Sequence, residues 1–144
     1  MTAPFHIGIV VADLDAAMAE LTRAAGLSWG EPIDRRTGEW DYRIVYSIEG
    51  PPHVELVEGA PGSPWDASEG PRLDHAGWWI DNVSAEKERL EAIGLSVDAD
   101  LRPLPGGRAV YMHAPATGLR FELNDSAGEA AFYERLGRGT PPTD

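Results

Sequence analysis

The chain has 144 residues, 12 Lys and Arg against 24 Asp and Glu, a formal net charge of −12 and no cysteine. A field of that sign repels nucleic acid and anionic lipid, and it does not draw in an anionic substrate unless the pocket is locally basic. The missing cysteines exclude disulfides, thiolate metal sites and a cysteine nucleophile.

Hydrophobic residues make up 42% of the chain, enough for the core of one domain, and 16 glycines and 12 prolines announce many turns. No apolar run is long enough to cross a bilayer, and no basic-plus-apolar leader precedes a cleavage site. A cytoplasmic protein with no membrane or nucleic-acid partner is the expectation.

Residues 6–11 alternate and are rich in Ile and Val, which predicts a strand. Asp13 or Asp15 can cap a helix through Ala17, Met18, Leu21 and Ala24, with Gly26 just past its end. Strand-like runs follow at 42–48 and 53–58, separated by the turn Glu49-Gly50-Pro51-Pro52. Residues 59–72, rich in Pro, Gly and Ser, read as a linker loop that carries Trp65. A second strand begins at His75. Ser84 is the expected cap of a second helix, Glu86 and Glu88 favour its N-terminus, Leu90 and Ile93 supply its buried stripe, and Gly94 ends it. Strands at 109–113 and 119–123 flank the turn Pro115-Ala116-Thr117-Gly118. Residues 127–136 predict a short C-terminal helix, and 137–144 a frayed tail.

The chain repeats itself. HIGIVVADLDA from His6 aligns with HAGWWIDNVSA from His75, sharing His at the first position and Gly at the third. Each half then runs through a helix to Gly-Leu, at Gly26-Leu27 and Gly94-Leu95, and closes on a strand bearing Glu-Leu, at Glu55-Leu56 and Glu122-Leu123. The order is strand, helix, then two or three strands, done twice. The expected units are 4–58 and 73–126, joined by the loop 59–72 and followed by 127–144.

Strand alternation turns Ile7, Ile9 and Val11 toward the helix and His6 away from it. The same argument puts Glu55, His75 and Glu122 on the helix-free face. Gly8 and Gly77 lie two residues beyond each histidine, where a side chain would crowd a site. Two imidazoles and two carboxylates suit one borderline divalent ion (Zn, Ni, Co, Mn or Fe), leaving two octahedral positions open. Candidate substrate-binding residues are Trp79 on the His75 face, Tyr46 and Tyr111 on central strands, Arg108 for an anionic group, and His53 beside Glu55. Trp40 and Trp65 are expected in rim loops, and His113 in a structural role.

These features resemble the vicinal oxygen chelate superfamily, which includes glyoxalase I, methylmalonyl-CoA epimerase, extradiol dioxygenases, fosfomycin-resistance transferases and bleomycin-binding proteins. The resemblance spans residues 5–124. It implies an α+β fold in which paired βαβββ modules form a curved, open mixed sheet around a metal. DHAGWWIDNVSA and GGRAVYMHAPATGLRFEL look most like the epimerase, whereas Glu55 as second ligand is closer to glyoxalase I. Arg43 falls near the position where the epimerase carries a second carboxylate base. The resemblance further implies a homodimer, with the metal site either within one chain or across two.

The implied function is that of a metal-dependent lyase or isomerase/epimerase acting on a small carbonyl compound through an enolate. By family analogy a ligating glutamate detaches to serve as the base, Glu122 first and Glu55 second. The alternatives are a metal-free binding protein of the bleomycin-resistance type, which would need no ligand set, and an Fe(II) extradiol-type dioxygenase, which would need two His and one carboxylate.

Overall fold

In the computed structural model, which describes residues 1 and 3–137, the elements are β1 (His6–Val10), α1 (Leu14–Ala25), β2 (Ile33–Thr37), β3 (Trp40–Tyr46), β4 (His53–Gly59), β5 (Arg72–Ile80), α2 (Val83–Ala92), β6 (Ser96–Asp100), β7 (Ala109–His113), β8 (Arg120–Asp125) and α3 (Glu129–Arg135). Eight strands form one mixed sheet in the order β2-β3-β4-β1-β5-β8-β7-β6. The order is symmetric about its centre. β1 pairs β4 in parallel, β5 pairs β8 in parallel, and β1 and β5 meet antiparallel. The curved sheet thus consists of two βαβββ modules.

Each module buries its helix against one sheet face. Leu14, Val11, Val45 and Leu56 form the core under α1, with Ala17, Met18 and Leu21 packed on it. Ala76, Trp78, Ile80, Leu90 and Leu123 form the equivalent core under α2. These are the apolar sets that strand alternation assigns to the helix side. Asp13 caps α1 by accepting from the Ala16 amide at 2.8 Å, and Glu58 of β4 accepts from the Leu14 amide at 2.6 Å, so two carboxylates sit at the positive end of that helix.

Several expectations need correction. The α2 cap is Asn82, which accepts from the Ala85 amide at 3.0 Å, and Ser84 lies inside the helix. An amide oxygen two residues earlier reaches the orphan donors that the Ser84 hydroxyl cannot. The edge strands β2 (IDRRT) and β6 (SVDAD) were not legible, because their charged residues mask the alternation. Trp40 opens β3 rather than lying in a loop. Trp65, expected at a rim, is 3% exposed and packs on Tyr42 with ring centroids 4.2 Å apart. The expected C-terminal helix is split into a 3-10 turn, Ser126–Gly128, and α3. Most of the expected tail lies outside the described residues.

No helix among the described residues is long and apolar enough to cross a membrane.

Candidate metal centre and cleft

Strand register explains how two distant histidines meet. Across the sheet, Tyr46 of β3 lies beside Glu55 of β4, which lies beside Gly8 of β1, which lies beside His75 of β5. A second row runs Tyr111, Glu122, Gly77, His6. Each row therefore carries a Tyr and Glu from one module and a His from the other, with a glycine between them. A Cβ at Gly8 would fall on the His75 ring, and one at Gly77 on the His6 ring. The glycines are the spaces the imidazoles occupy.

Four buried side chains converge there. His6 Nε2 and His75 Nε2 are 3.0 Å apart. Glu122 Oε2 lies 3.1 Å from His6 Nε2 and 3.7 Å from His75 Nε2. Glu55 Oε2 lies 3.0 Å from His75 Nε2 and 3.4 Å from His6 Nε2. His6, His75 and Glu122 offer ligand atoms that all lie within 4.8 Å of one another, a group that could hold a metal ion. All of these residues come from one chain, so no second copy is required to bring them together.

Each glutamate is held by the tyrosine of its own row. Tyr46 donates to Glu55 Oε1 at 2.5 Å, and Tyr111 donates to Glu122 Oε1 at 2.6 Å. Burial, then the neighbouring glutamate charges, push both phenols well above their ordinary values, so they remain donors. Asn124 adds a second bond to Glu122, at 2.9 Å to Oε2. Burial works against the Glu122 anion, but the charge of His75 and contacts with His6 and Tyr111 outweigh it and hold this carboxyl well below the usual range. His75 shows the converse. Burial alone would lower it, while Glu122, Asp74 and Glu55 raise it to about 10. Without a metal, these carboxylates favour the protonated form of His75.

Behind His75 stands a network the sequence did not reveal. The pairing of β1 with β5 slips between Gly8 and Ile9, whose partners are His75 and Leu73. Asp74 is the extra residue of this bulge, and its Oδ2 reaches His75 Nδ1 at 3.0 Å. Arg120 donates to the same oxygen at 2.7 Å and to Asp98 at 2.6 Å, and its guanidinium lies 4.1 Å above the Tyr111 ring. Burial would raise the Asp74 carboxyl, but His75, Arg120 and Arg72 hold it below its ordinary value.

A small chamber of about 110 Å³, lined by Tyr46, Glu55, Tyr111, Glu122 and Asn124 among others, opens beside the cluster. It shares Arg35, Ile44, Tyr46, Arg108 and Asn124 with a larger cleft of about 750 Å³. Phe5, Trp79 and Phe132 supply the cleft's aromatic surface, Phe5 and Trp79 being stacked at 3.9 Å.

Of the sequence candidates, Trp79, Tyr46, Tyr111 and Arg108 all border these spaces. His53 does not. It is fully buried, its Nδ1 bonds the Ser47 carbonyl at 2.8 Å, and its ring packs against Phe132 and Tyr133. His113 ends β7 opposite Arg120 and lines neither space. Arg43 pairs weakly with Asp15 at 3.8 Å and Asp34 at 3.7 Å. Besides Asp74 and Arg120, Arg35, Arg102 and Arg135 in the cleft carry no signal legible in the sequence.

A family profile described as the Glyoxalase/Bleomycin resistance protein/Dioxygenase superfamily matches residues 5–111. The chain belongs to that superfamily. Among solved structures, the superfamily member described here is similar to methylmalonyl-CoA epimerase from Mycobacterium tuberculosis (20% identity, 91% of this chain and 92% of that one, TM-score 0.64). It is also similar to a variant of the Streptomyces coelicolor epimerase in complex with 2-nitronate-propionyl-CoA (22% identity, 88% and 99%, TM-score 0.66). A third likeness is to a variant of 4-hydroxymandelate synthase from Streptomyces coelicolor (16% identity, 86% of this chain but 38% of that one, TM-score 0.65). At these identities the likeness is one of fold. No curated protein matches the chain.

Proposed function

We propose that this superfamily member is a metal-dependent lyase or isomerase acting on a small carbonyl compound. The observation that carries the reading is the convergence of His6 Nε2, His75 Nε2 and Glu122 Oε2 in a buried spot beside an open chamber. The donor set fits a borderline divalent ion (Zn, Ni, Co, Mn or Fe), and Asp74 behind His75 is the carboxylate that commonly orients a ligating imidazole. Bound there, such an ion supplies Lewis acidity that eases loss of the proton beside a substrate carbonyl.

The protein's own groups divide the remaining work. Glu122 is fixed by Tyr111 and Asn124 and kept anionic, which suits a permanent ligand. Glu55 Oε2 is as near the two imidazoles, at 3.0 and 3.4 Å, but it is not among the three residues whose ligand atoms are all mutually close, and it is held by Tyr46 and His75. We therefore assign proton removal and return to Glu55, with Glu122 second, the reverse of the order expected from sequence. Tyr46, still protonated, orients the Glu55 carboxylate while its other oxygen meets the substrate proton.

One observation favours a second reading. Two histidines and one carboxylate form the close group, which is the ligand set of Fe(II) oxygenases, with Glu55 left out of it. A single comparison separates the two. Protein purified without added metal or a His tag is analysed for metal, beside His6→Ala and Glu122→Ala. Its exchange of carbonyl-adjacent protons with deuterated water is followed by NMR across a panel of carbonyl compounds, and oxygen uptake is recorded in parallel. Near one metal per chain, lost in both variants, with deuterium incorporation that Glu55→Gln abolishes, is the expected result. Iron with oxygen uptake and no exchange would replace it by the oxygenase reading. No metal after reconstitution with divalent ions would overturn both.

A further inference from the structure

Four arginines line the outer cleft of a chain whose net charge is −12. They come from separate places: Arg35 from β2, Arg102 and Arg108 from the segment between β6 and β7, and Arg135 from α3. Arg102 is neutralised, with NH2 2.6 Å from Asp100 Oδ2 and NH1 3.0 Å from Ser84 Oγ. The other three differ. Among the described residues, no side-chain hydrogen bond or ion pair involves Arg35, Arg108 or Arg135.

These three charges are also near one another. Burial, followed by the charges of Arg108 and Arg135, lowers the Arg35 guanidinium from its ordinary value. Arg35, placed in one cleft with two like charges, is favoured by an anion that joins them, and guanidinium groups match the oxygens of carboxylate or phosphate. The two carboxylates of the cleft lining are hydrogen-bonded locally and not to these arginines, Asp81 to Ser126 Oγ at 2.7 Å and Asp125 to the Ala127 amide at 2.9 Å. Arg35 and Arg108 border both the cleft and the inner chamber, whereas Arg135 borders the cleft and not that chamber. The cationic group therefore begins where the two spaces join.

We propose that the ligand of this cleft is an organic anion, a carbonyl compound bearing a carboxylate or phosphate group that Arg35, Arg108 and Arg135 hold. Its carbonyl end enters the chamber beside Glu55, and its apolar body lies along Ile44, Phe5 and Trp79. The placement of the carbonyl end rests on the proposed metal-centre function, but the arginine site does not. The acidic surface elsewhere repels such a ligand, so these arginines decide whether it is captured.

The test is calorimetric titration of succinate, inorganic phosphate and uncharged succinamide into metal-loaded protein at low ionic strength, repeated with Arg35→Gln, Arg108→Gln and the His6→Ala protein. At least one anion is expected to bind tenfold or more tightly than succinamide. Each arginine variant should weaken that binding tenfold or more with unchanged metal content and melting temperature. Tighter phosphate assigns a phosphorylated substrate, and tighter succinate a carboxylated one. Binding that survives in His6→Ala protein separates this site from the metal centre, so it stands even if the metal-dependent reading fails. Failure of both anions to bind, equal binding of succinamide, or unaltered binding in both arginine variants overturns the proposal, even where metal analysis supports the centre.

Discussion

The two modules contribute the same three groups, a His, a Glu and a Tyr, yet they support them differently. Behind His75 in the second module stand Asp74 and then Arg120, with Asn124 on Glu122. The corresponding places in the first module hold Phe5, His53 and Val57. His6 Nδ1, buried, has no hydrogen-bond partner among the described residues. Phe5 instead stacks on Trp79 and meets Phe132 at the cleft, and His53 packs beneath α3. The two modules place their His, Glu and Tyr alike. The surrounding positions differ, one set giving polar support to the cluster and the other an apolar wall.

The strongest test of the shared geometry is Gly77→Ala or Gly8→Ala. Each places a methyl where the other module's imidazole lies. Both variants should drop from near one metal per chain to near none, and lose about 1–3 kcal/mol of stability from overpacking. Retention of metal by either would break the symmetry of the two rows.

The asymmetry is tested next. Asp74→Ala should weaken metal binding about 10–100-fold through loss of the partner that orients His75. Phe5→Leu should leave metal affinity nearly unchanged while altering the cleft, which competition with a chelating dye would show. Comparable losses in the two would mean that His6 depends on Phe5 as His75 does on Asp74.

A smaller difference separates the tyrosines. Tyr46→Phe and Tyr111→Phe each remove a hydrogen bond to a buried carboxylate, worth about 1.5–3 kcal/mol. Tyr111→Phe should be the milder in thermal melts, because Asn124 still holds Glu122.

A separate effect concerns pH dependence. In metal-free protein the folded-state pKa of His75 is raised from 6.5 to about 10, so its contribution to stability is complete below 6.5 and is lost as pH rises through 10. The melting temperature of metal-free protein should decline over that interval. Metal-loaded protein, in which the ion replaces the proton, should decline less. Equal slopes would show that the carboxylates do not favour the protonated form of His75.

The sequence disclosed the repeat because the same residue stands at the same strand position twice, and period-two alternation then assigns its face. Asp74 escaped that logic. Alternation turns it away from His75, and only the bulge, a property of the β1–β5 pairing, brings it back. Arg108 was legible as a candidate for an anionic group, but its companions Arg35 and Arg135 were hidden for another reason. Arg35, Arg108 and Arg135 are far apart in the chain, and nothing local marks a surface arginine that will meet two others across a cleft. Arg35 also sits in an edge strand whose charged composition concealed the strand itself.

The crossed glycines bear on how such a chain can be divided. His6 occupies the gap at Gly77, and His75 the gap at Gly8. Cut between residues 59 and 72, the chain would give two pieces, each bearing a histidine whose seat is in the other. Neither piece could form even half a site alone, and two copies of either would have to face each other to imitate it. Autonomy belongs to the pair, and the connecting loop holds together parts that already require one another.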